Sequence, residues 1–542
     1  MGRQLPLNVK VSFSGIDFSQ DVRPLILEFY PGTDIIFSAV SGENSEDAVY
    51  SSNYSSRENE TDDLGRDDLI INFVTLPERF SIELNGKTVC EKEVVFGNGE
   101  PVLESELHLS TEKLRHRDYR NQLMKALYEA LSSLTGRTLP WGSLTGVRPT
   151  KLCFERLEKN MTGNISHMID TYCCSPQKAG LAQMIAGKEF KLLRDMDYKN
   201  GYSLYVGFPF CPSICNYCSF GSHPMDRFGH LAEPYIEALL KEIDGCSGLF
   251  PELKLETVYF GGGTPTAVTA EQLKRVIDRV REKFDFGSVL EFSVEAGRPD
   301  SIDAEKLQVL KASGVTRISI NPQTMRQRTL DLIGRRHTAE QTVEAFRLAR
   351  GMGFDNINMD LIAGLSGENA DDMKYTLDEI GKLDPESITV HTLALKRAAR
   401  LTTEKESFEG LEASEVSQMV EYARNFCTEH GYEPYYLYRQ KNMTDNLENV
   451  GYAKPGREGL YNILIMEEQQ AILALGAGGS SKFPDYRFCL QDEAASGAAE
   501  NGVAEPGRVI RRFGRVENVK SVVDYIGRID EMIERKRIFL NK

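Results

Sequence analysis

Leu204-Tyr-Val-Gly-Phe-Pro-Phe-Cys211-Pro-Ser-Ile-Cys215-Asn-Tyr-Cys218 runs an apolar strand directly into a loop carrying three cysteines. Their spacing is C-x3-C-x2-C, and no fourth cysteine follows closely. Four thiolates would close a metal site. Three on one short loop leave a corner open, which suits a [4Fe–4S] cluster with one iron free to bind something other than protein. A structural zinc site is one alternative, but zinc usually wants a second Cys or His pair at short spacing. No such pair follows, and His223 would be an awkward fourth ligand. The other alternative is three core cysteines brought together by coincidence, since Cys is often buried. Three within eight positions, flanked by aromatics and Pro, argue against it.

Working outward, the strand before the cysteines opens a rhythm. Apolar runs recur at Leu204–Phe208, Val258–Phe260, Leu290–Val294, Arg317–Ile320, Ile357–Ile362 and Ile388–Val390. Helical patterns lie between them, at Pro234–Glu242, Ala270–Lys283, Asp303–Ala312, Ala339–Met352 and Asp371–Leu383. Strand–helix alternation means a parallel sheet with helical crossovers. Six repeats predict an α/β fold, a partial (β/α)6 barrel of the TIM type, with chemistry on the loops after the strand C-terminal ends. The unusual residues obey that rule. The cysteines follow the first strand, Gly261-Gly-Gly-Thr264-Pro265 the second and Gln323 the fourth. Glu295 ends the third, Asp360 lies late in the fifth and His391 follows the sixth. Every candidate falls at one edge of the sheet.

Upstream, the reading changes. Val9–Phe13, Leu25–Tyr30, Leu69–Val74 and Phe80–Leu84 read as strands, the last ending in the turn dipeptide Asn85-Gly86. Residues 42–68, rich in Ser, Asn, Asp and Glu, read as a mobile loop. Helices are expected at 111–135 and 176–194. We therefore expect an N-terminal α+β domain at 1–195, the barrel at 196–400, and a mixed α/β C-terminal region at 401–542 with a loose insertion near 491–507. That last region has expected helices at 413–430 and 517–536.

Composition narrows the class. Hydrophobic residues make up 41% and charged residues 27%, ordinary globular values. No stretch approaches the ~20 apolar residues of a membrane span, and Met1–Asn8 has no apolar signal core. A cytoplasmic protein is expected. The net charge of −16 argues against a broad nucleic-acid surface. Ten scattered cysteines without a secretion signal read as reduced thiols.

Each polar group has a bland reading beside the functional one. The Gly261–Pro265 backbone can approach a ligand closely, or simply make a tight turn. Glu295 and Asp360, acids in apolar strands, need partners; ribose hydroxyls would serve, or a salt bridge to Arg298 or Arg317. Arg335 or Arg336 could pair a ligand carboxylate bidentately, or cap a helix end in solvent. Lys396, Arg397 and Arg400 suit an anionic substrate, or form a solvated face. His391 reads as a packed barrel residue rather than a base.

C-x3-C-x2-C with Tyr217 two residues after its second Cys, then Gly-Gly-Gly-Thr-Pro-Thr, resembles the radical SAM enzymes of the oxygen-independent coproporphyrinogen III oxidase type. Asn358-Met-Asp360-Leu-Ile-Ala-Gly-Leu365 is similar to the same group. Leu139–Lys151, Gln440–Met443 and Asn449–Gly456 resemble its HemZ-type branch. The resemblance implies a [4Fe–4S] cluster on Cys211, Cys215 and Cys218, with S-adenosylmethionine (SAM) as cofactor. It implies SAM contacts from Tyr205, Tyr217, Gly262, Gly263, Thr264, Glu295, Gln323, Arg335, Asp360 and Ala394. Tyr205 and Arg335 would also act at the catalytic centre. Two departures stand out: Phe220 occupies a position where the bacterial dehydrogenases often carry a further Cys, and their short N-terminal arm has no evident counterpart. The implied reaction is oxidative decarboxylation of two propionates of coproporphyrinogen III to vinyl groups, giving protoporphyrinogen IX. A tetrapyrrole substrate and a one-electron donor such as flavodoxin or ferredoxin would be the partners. The alternatives are a haem-binding chaperone of the same family, another radical SAM reaction on a tetrapyrrole, and a zinc-stabilised interaction protein.

Overall fold

A computed structural model describes residues 6, 8–38, 68–97, 111–146, 148–218, 221–393, 413–440, 446–484 and 513–540. The expected insertion near 491–507, and residues 42–67 of the expected loop, lie outside them. Two compact units emerge: Met1–Val147 with Met161–Gly180, and Arg148–Asn160 with Leu181–Lys542.

The first unit holds a five-stranded sheet. Its strands are β1 (Asn8–Gly15), β2 (Asp34–Phe37), β3 (Leu69–Leu76), β4 (Arg79–Leu84) and β5 (Lys87–Glu93), in the order β2-β1-β3-β4-β5. Strand β1 alternates, burying Val9, Val11 and Phe13. The sheet packs with α1 (Ser19–Phe29) and α2 (Thr111–Thr135) in one apolar core. The expected strand Leu25–Tyr30 is corrected here, because it lies almost wholly in α1. Val22, Leu25, Ile26 and Phe29 recur at i, i+3, i+4 and i+7 and form one buried helical face. A short window of mostly apolar residues hid that period.

The chain path then differs from the single boundary expected at 195. Helix α3 (Pro149–Glu158) belongs to the second unit, α4 (Asn164–Tyr172) to the first, and α5 (Pro176–Arg194) runs from the first into the second. Long-range contacts decide this. Thr150 donates to Glu467 at 3.0 Å, Arg148 pairs with Glu468 at 2.7 Å, and Lys188 pairs with Glu458 at 2.7 Å. Sequence periodicity carries no trace of partners so far apart.

The second unit is built on β6 (Gly201–Phe208), β7 (Phe210–Cys211), β8 (His223–Pro224), β9 (Lys254–Gly262), β10 (Glu291–Glu295), β11 (Arg317–Ser319), β12 (Ile357–Ala363) and β13 (Ser387–Thr392). Strands β6, β9, β10, β11, β12 and β13 are parallel neighbours in sequence order, which makes the (β/α)6 barrel sheet. Their residues are almost all buried, as parallel strands covered on both faces require. Between the strands β8 to β13 run the helices α6 (Met225–Phe228), α7 (Ala232–Cys246), α8 (Ala270–Lys283), α9 (Ala304–Ala312), α10 (Gln327–Leu332), α11 (Ala339–Gly351) and α12 (Ala370–Leu383). Capping boxes at Thr269, Thr338 and Asn369 start α8, α11 and α12.

The region after 400 extends this same sheet at both edges. Strands β14 (Glu433–Tyr438) and β15 (Asn449–Ala453) add antiparallel to β13. Strand β16 (Ala471–Leu475) adds parallel to β6, followed by antiparallel β17 (Ser480–Pro484) and β18 (Phe513–Glu517). Each barrel edge strand thus gains a partner for its free backbone groups. Near the C-terminus, two helices, Val522–Gly527 and Ile529–Leu540, stand where one was expected. Among the described residues no helix is long and apolar enough to cross a membrane.

Candidate cofactor site

Cys211 ends β7, and Cys215 and Cys218 lie in the loop that follows. Three elements pin this loop. From the turn between β9 and α8, the N–H of Gly263 donates to the Phe208 carbonyl at 2.6 Å, and that of Thr264 to Phe210 at 2.7 Å. A Cβ at Gly263 would stand 2.5 Å from the Phe210 oxygen, so the close approach requires glycine. From the loop after β10, the buried Arg298 donates to the Ser213 carbonyl and hydroxyl, each at 3.0 Å. From the end of α10, Ile333 accepts from the Asn216 N–H at 2.9 Å and Leu332 from the Asn216 side chain at 3.0 Å. The cysteines are therefore presented on a loop whose backbone is fixed by the ends of three β/α units.

That arrangement fits a three-cysteine cluster. Thr264 Oγ1 lies 3.4 Å from Cys211 Sγ, and Arg298 donates to Cys215 Sγ at 3.6 Å. Among the described residues no three His, Cys, Asp or Glu side chains gather as a single ion would need. In a four-iron cube each thiolate holds its own iron, so a common loop rather than a common centre is the requirement.

Beside the loop, the polar residues of the strand ends form one network, and Asn321 ties it together. Its carbonyl accepts from Arg335, its side-chain amide donates to Glu295 at 3.2 Å, and its side-chain oxygen accepts from the Asp360 N–H at 3.2 Å. The buried Arg335 also faces Tyr217 and Cys215, whose proximity holds its pKa above the ordinary value against the opposing effect of burial. Gln323 is buried with φ of 69°, a left-handed conformation rare for a residue with a side chain. Its backbone N–H donates to Asp360 at 2.9 Å, while its side-chain oxygen is buried without a partner. A strained residue with an orphaned acceptor asks for a ligand.

The two carboxylates lie in different surroundings. Glu295 accepts from the Tyr259 hydroxyl and lies 3.4 Å from the Ser319 hydroxyl. Enclosure by the barrel, then the nearby charge of Asp360, push its pKa up to about 7, against the hydrogen bonds from Tyr259 and Asn321. Burial also pushes Asp360 upward, but His391, with Asn358 and Thr389, outweighs it and holds the carboxyl below its ordinary value. His391 Nε2 is 3.6 Å from Asp360, and His391 Nδ1 lies 3.3 Å from the Tyr438 hydroxyl. The surroundings thus push the two acids in opposite directions. Arg298 and Arg317, the salt-bridge partners considered for Glu295, spend their guanidinium donors elsewhere. Arg298 serves the cysteine loop and Asp300; Arg317 serves Asn356, the Arg457 carbonyl and Tyr435.

Tyr205 lies in an aromatic stack, with ring centroids 6.2 Å from Tyr259 and 6.4 Å from Tyr461. Gly262, with φ of 105°, leaves room beside its hydroxyl, since a Cβ there would stand 3.2 Å from it. Ala394, Lys396, Arg397 and Arg400 lie outside the described residues. Sequence reasoning missed Asn321, Tyr259, Tyr438 and the service of Arg298 to the cysteine loop. For Asn321 a signal existed: a polar residue directly after the apolar run Arg317–Ile320.

Residues 205–380 match the radical SAM superfamily. The chain is 43% identical over 381 residues to the oxygen-independent coproporphyrinogen-III oxidase-like protein HemZ of Bacillus subtilis, covering 69% of this chain and 76% of that one. It is 32% identical over 284 residues to the haem chaperone HemW of the same organism, covering 51% and 69%. Among solved structures, coproporphyrinogen III oxidase (HemN) from Escherichia coli is similar with a TM-score of 0.48 and 23% identity, over 64% of this chain and 73% of that one.

Proposed function

We propose, on the premise that this chain belongs to the radical SAM superfamily and within it to the oxygen-independent coproporphyrinogen III oxidase-like family of HemZ type, that it oxidatively decarboxylates two propionates of coproporphyrinogen III to vinyl groups, giving protoporphyrinogen IX. The family's cofactors are a [4Fe–4S] cluster and SAM. The observation that carries the reading is the junction of the pinned three-cysteine loop with a strand-end network that leaves Gln323 Oε1 buried and unpartnered. The substrate assignment draws on the name of the HemZ relative.

Cys211, Cys215 and Cys218 would hold the cluster, and Arg335 would receive the SAM carboxylate. The N–H groups of Gly263 and Thr264 already serve the cysteine loop. The carbonyls of Gly262 and Gly263 are therefore the backbone groups suited to the SAM ammonium. Glu295 and Asp360 take the ribose hydroxyls, one as a carboxyl near neutrality and one as a carboxylate. Gln323 supplies the remaining acceptor, and Tyr205 and Tyr217 wall the site with aromatic rings. When bound, the cluster and SAM, charged by an electron from a flavodoxin- or ferredoxin-class donor, supply a carbon-centred radical able to take hydrogen from a propionate β-carbon. Loss of CO2 from that propionate, with one further electron passed to an acceptor, would leave the vinyl group.

A Cys211→Ala variant is expected to lose cluster absorbance and SAM cleavage together; retention of both would overturn the ligand assignment. Anaerobic incubation of reconstituted protein with SAM, reductant and coproporphyrinogen III is expected to yield divinyl product. A second reading, haem chaperone, is favoured by the HemW relative, 69% of whose length the chain covers. Tight haem binding with no vinyl product would select it.

A further inference from the structure

We infer that Arg298 raises the reduction potential of the cluster by holding its guanidinium against the Cys215 sulfur, and that Asp300 tempers that charge from the other edge of the same fork. The inference rests on reading the three cysteines as cluster ligands, and it concerns a residue outside the SAM network.

The geometry is specific. Arg298 stands two residues before Asp300 in the loop after β10 and is only 3% exposed. Its Nη1 reaches the Ser213 carbonyl at 3.0 Å and Cys215 Sγ at 3.6 Å. Its Nη2 reaches the Ser213 hydroxyl at 3.0 Å and Asp300 at 2.8 Å, and its Nε reaches Asp300 at 2.9 Å. A planar fork fixed at five points keeps its orientation. A loop clamp alone would need only the Ser213 contacts; the Nη1 contact to sulfur adds a charged donor at a ligand atom.

The step affected is the entry of one electron from a low-potential one-electron donor into the cluster; no bond forms or breaks at Arg298. Added negative charge is stabilised by a nearby cation and by N–H donors to the ligand sulfur, two of the levers that set iron–sulfur potentials. Both act strongly in a buried site. Asp300 opposes this with a carboxylate. Arg335 also faces Cys215 and stays in place in every variant below, so it adds a constant contribution. His337 adds no charge of its own: burial, then the charge of Arg335, push its pKa down to about 3, and it stands 3.9 Å from Asp300.

The test is a redox titration of the anaerobically reconstituted full chain with dithionite, following the reduced cluster by electron paramagnetic resonance. Arg298→Met is expected to lower the midpoint potential. Arg298→Lys should fall between it and the parent, keeping charge but losing the fork. Asp300→Asn, which leaves Arg298 in place, is expected to raise the potential. Opposite shifts in these two neighbours are not a property of a merely structural clamp. If Arg298→Met fails to retain iron, Asp300→Asn decides: an upward shift supports the inference, and an unchanged or lower potential overturns it. A cluster-loaded parent with unshifted variants sinks this inference alone. An iron-free parent sinks the cluster reading first, and this inference with it.

Discussion

Glu295 and Asp360 occupy neighbouring positions in one network, yet their surroundings push them in opposite directions. Glu295, enclosed by the barrel and beside the charge of Asp360, binds its proton up to about pH 7. An unfolded glutamate releases it near pH ~4.3. The native state therefore holds the extra proton between those values, and the contribution of Glu295 to stability is full below the lower one. That contribution is lost as pH rises through about 7. Chemical denaturation at pH 5 and pH 8 should show the parent losing stability over this range by more than Glu295→Gln does. Equal losses in the two proteins would remove the assigned environment. In the sequence, both carboxylates were legible as acids in apolar strands. Their partners were not, because Tyr259, Asn321 and His391 come from other strands.

At the scale of elements, the loop from Phe208 to Cys218 gains its shape from its neighbours more than from itself. The turn after β9 donates two backbone hydrogen bonds to it, and the Gly263 position touches the Phe210 carbonyl. Gly263→Ala should force that turn away from the loop. Overpacking of this kind costs about 1–3 kcal/mol, and iron uptake on reconstitution should fall with it. A variant as stable and as iron-rich as the parent would contradict the close packing. The glycine run was conspicuous in the sequence and read as a ligand-approach segment. The structure assigns two of its N–H groups to the cysteine loop, a backbone-to-backbone contact that side-chain patterns do not encode. The helix at Ser19–Phe29 went unread for a related reason: its apolar positions fit both a strand run and a helical face, and only packing on the five-stranded sheet selects the face.

For the molecule as a whole, the last helix is fixed to the second unit by a buried charge pair. Lys536 and Glu242 are both fully buried and 2.7 Å apart. Glu242 also accepts from Tyr525 at 2.6 Å, Asn518 at 2.8 Å and the Gly476 N–H at 2.7 Å. Removing one partner of a buried pair costs about 3–5 kcal/mol, because the remaining charge is left uncompensated. Lys536→Met should lower denaturant stability by about that amount while leaving the cluster spectrum of the folded fraction unchanged, and a neutral effect would refute the pairing. By itself the sequence determined the six strand–helix repeats, the common sheet edge at which the candidate site residues fall and the three-cysteine loop. Each of these is written in local period or spacing, and a period of two or 3.6 residues survives without knowledge of the partner. Only the tertiary structure decided that α3 and most of α5 join the barrel unit, that strands after 430 extend both sheet edges, and that Asn321, Arg298 and Glu242 are junctions. Those depend on contacts between residues tens to hundreds of positions apart, set by which buried polar groups find partners once the sheet has formed.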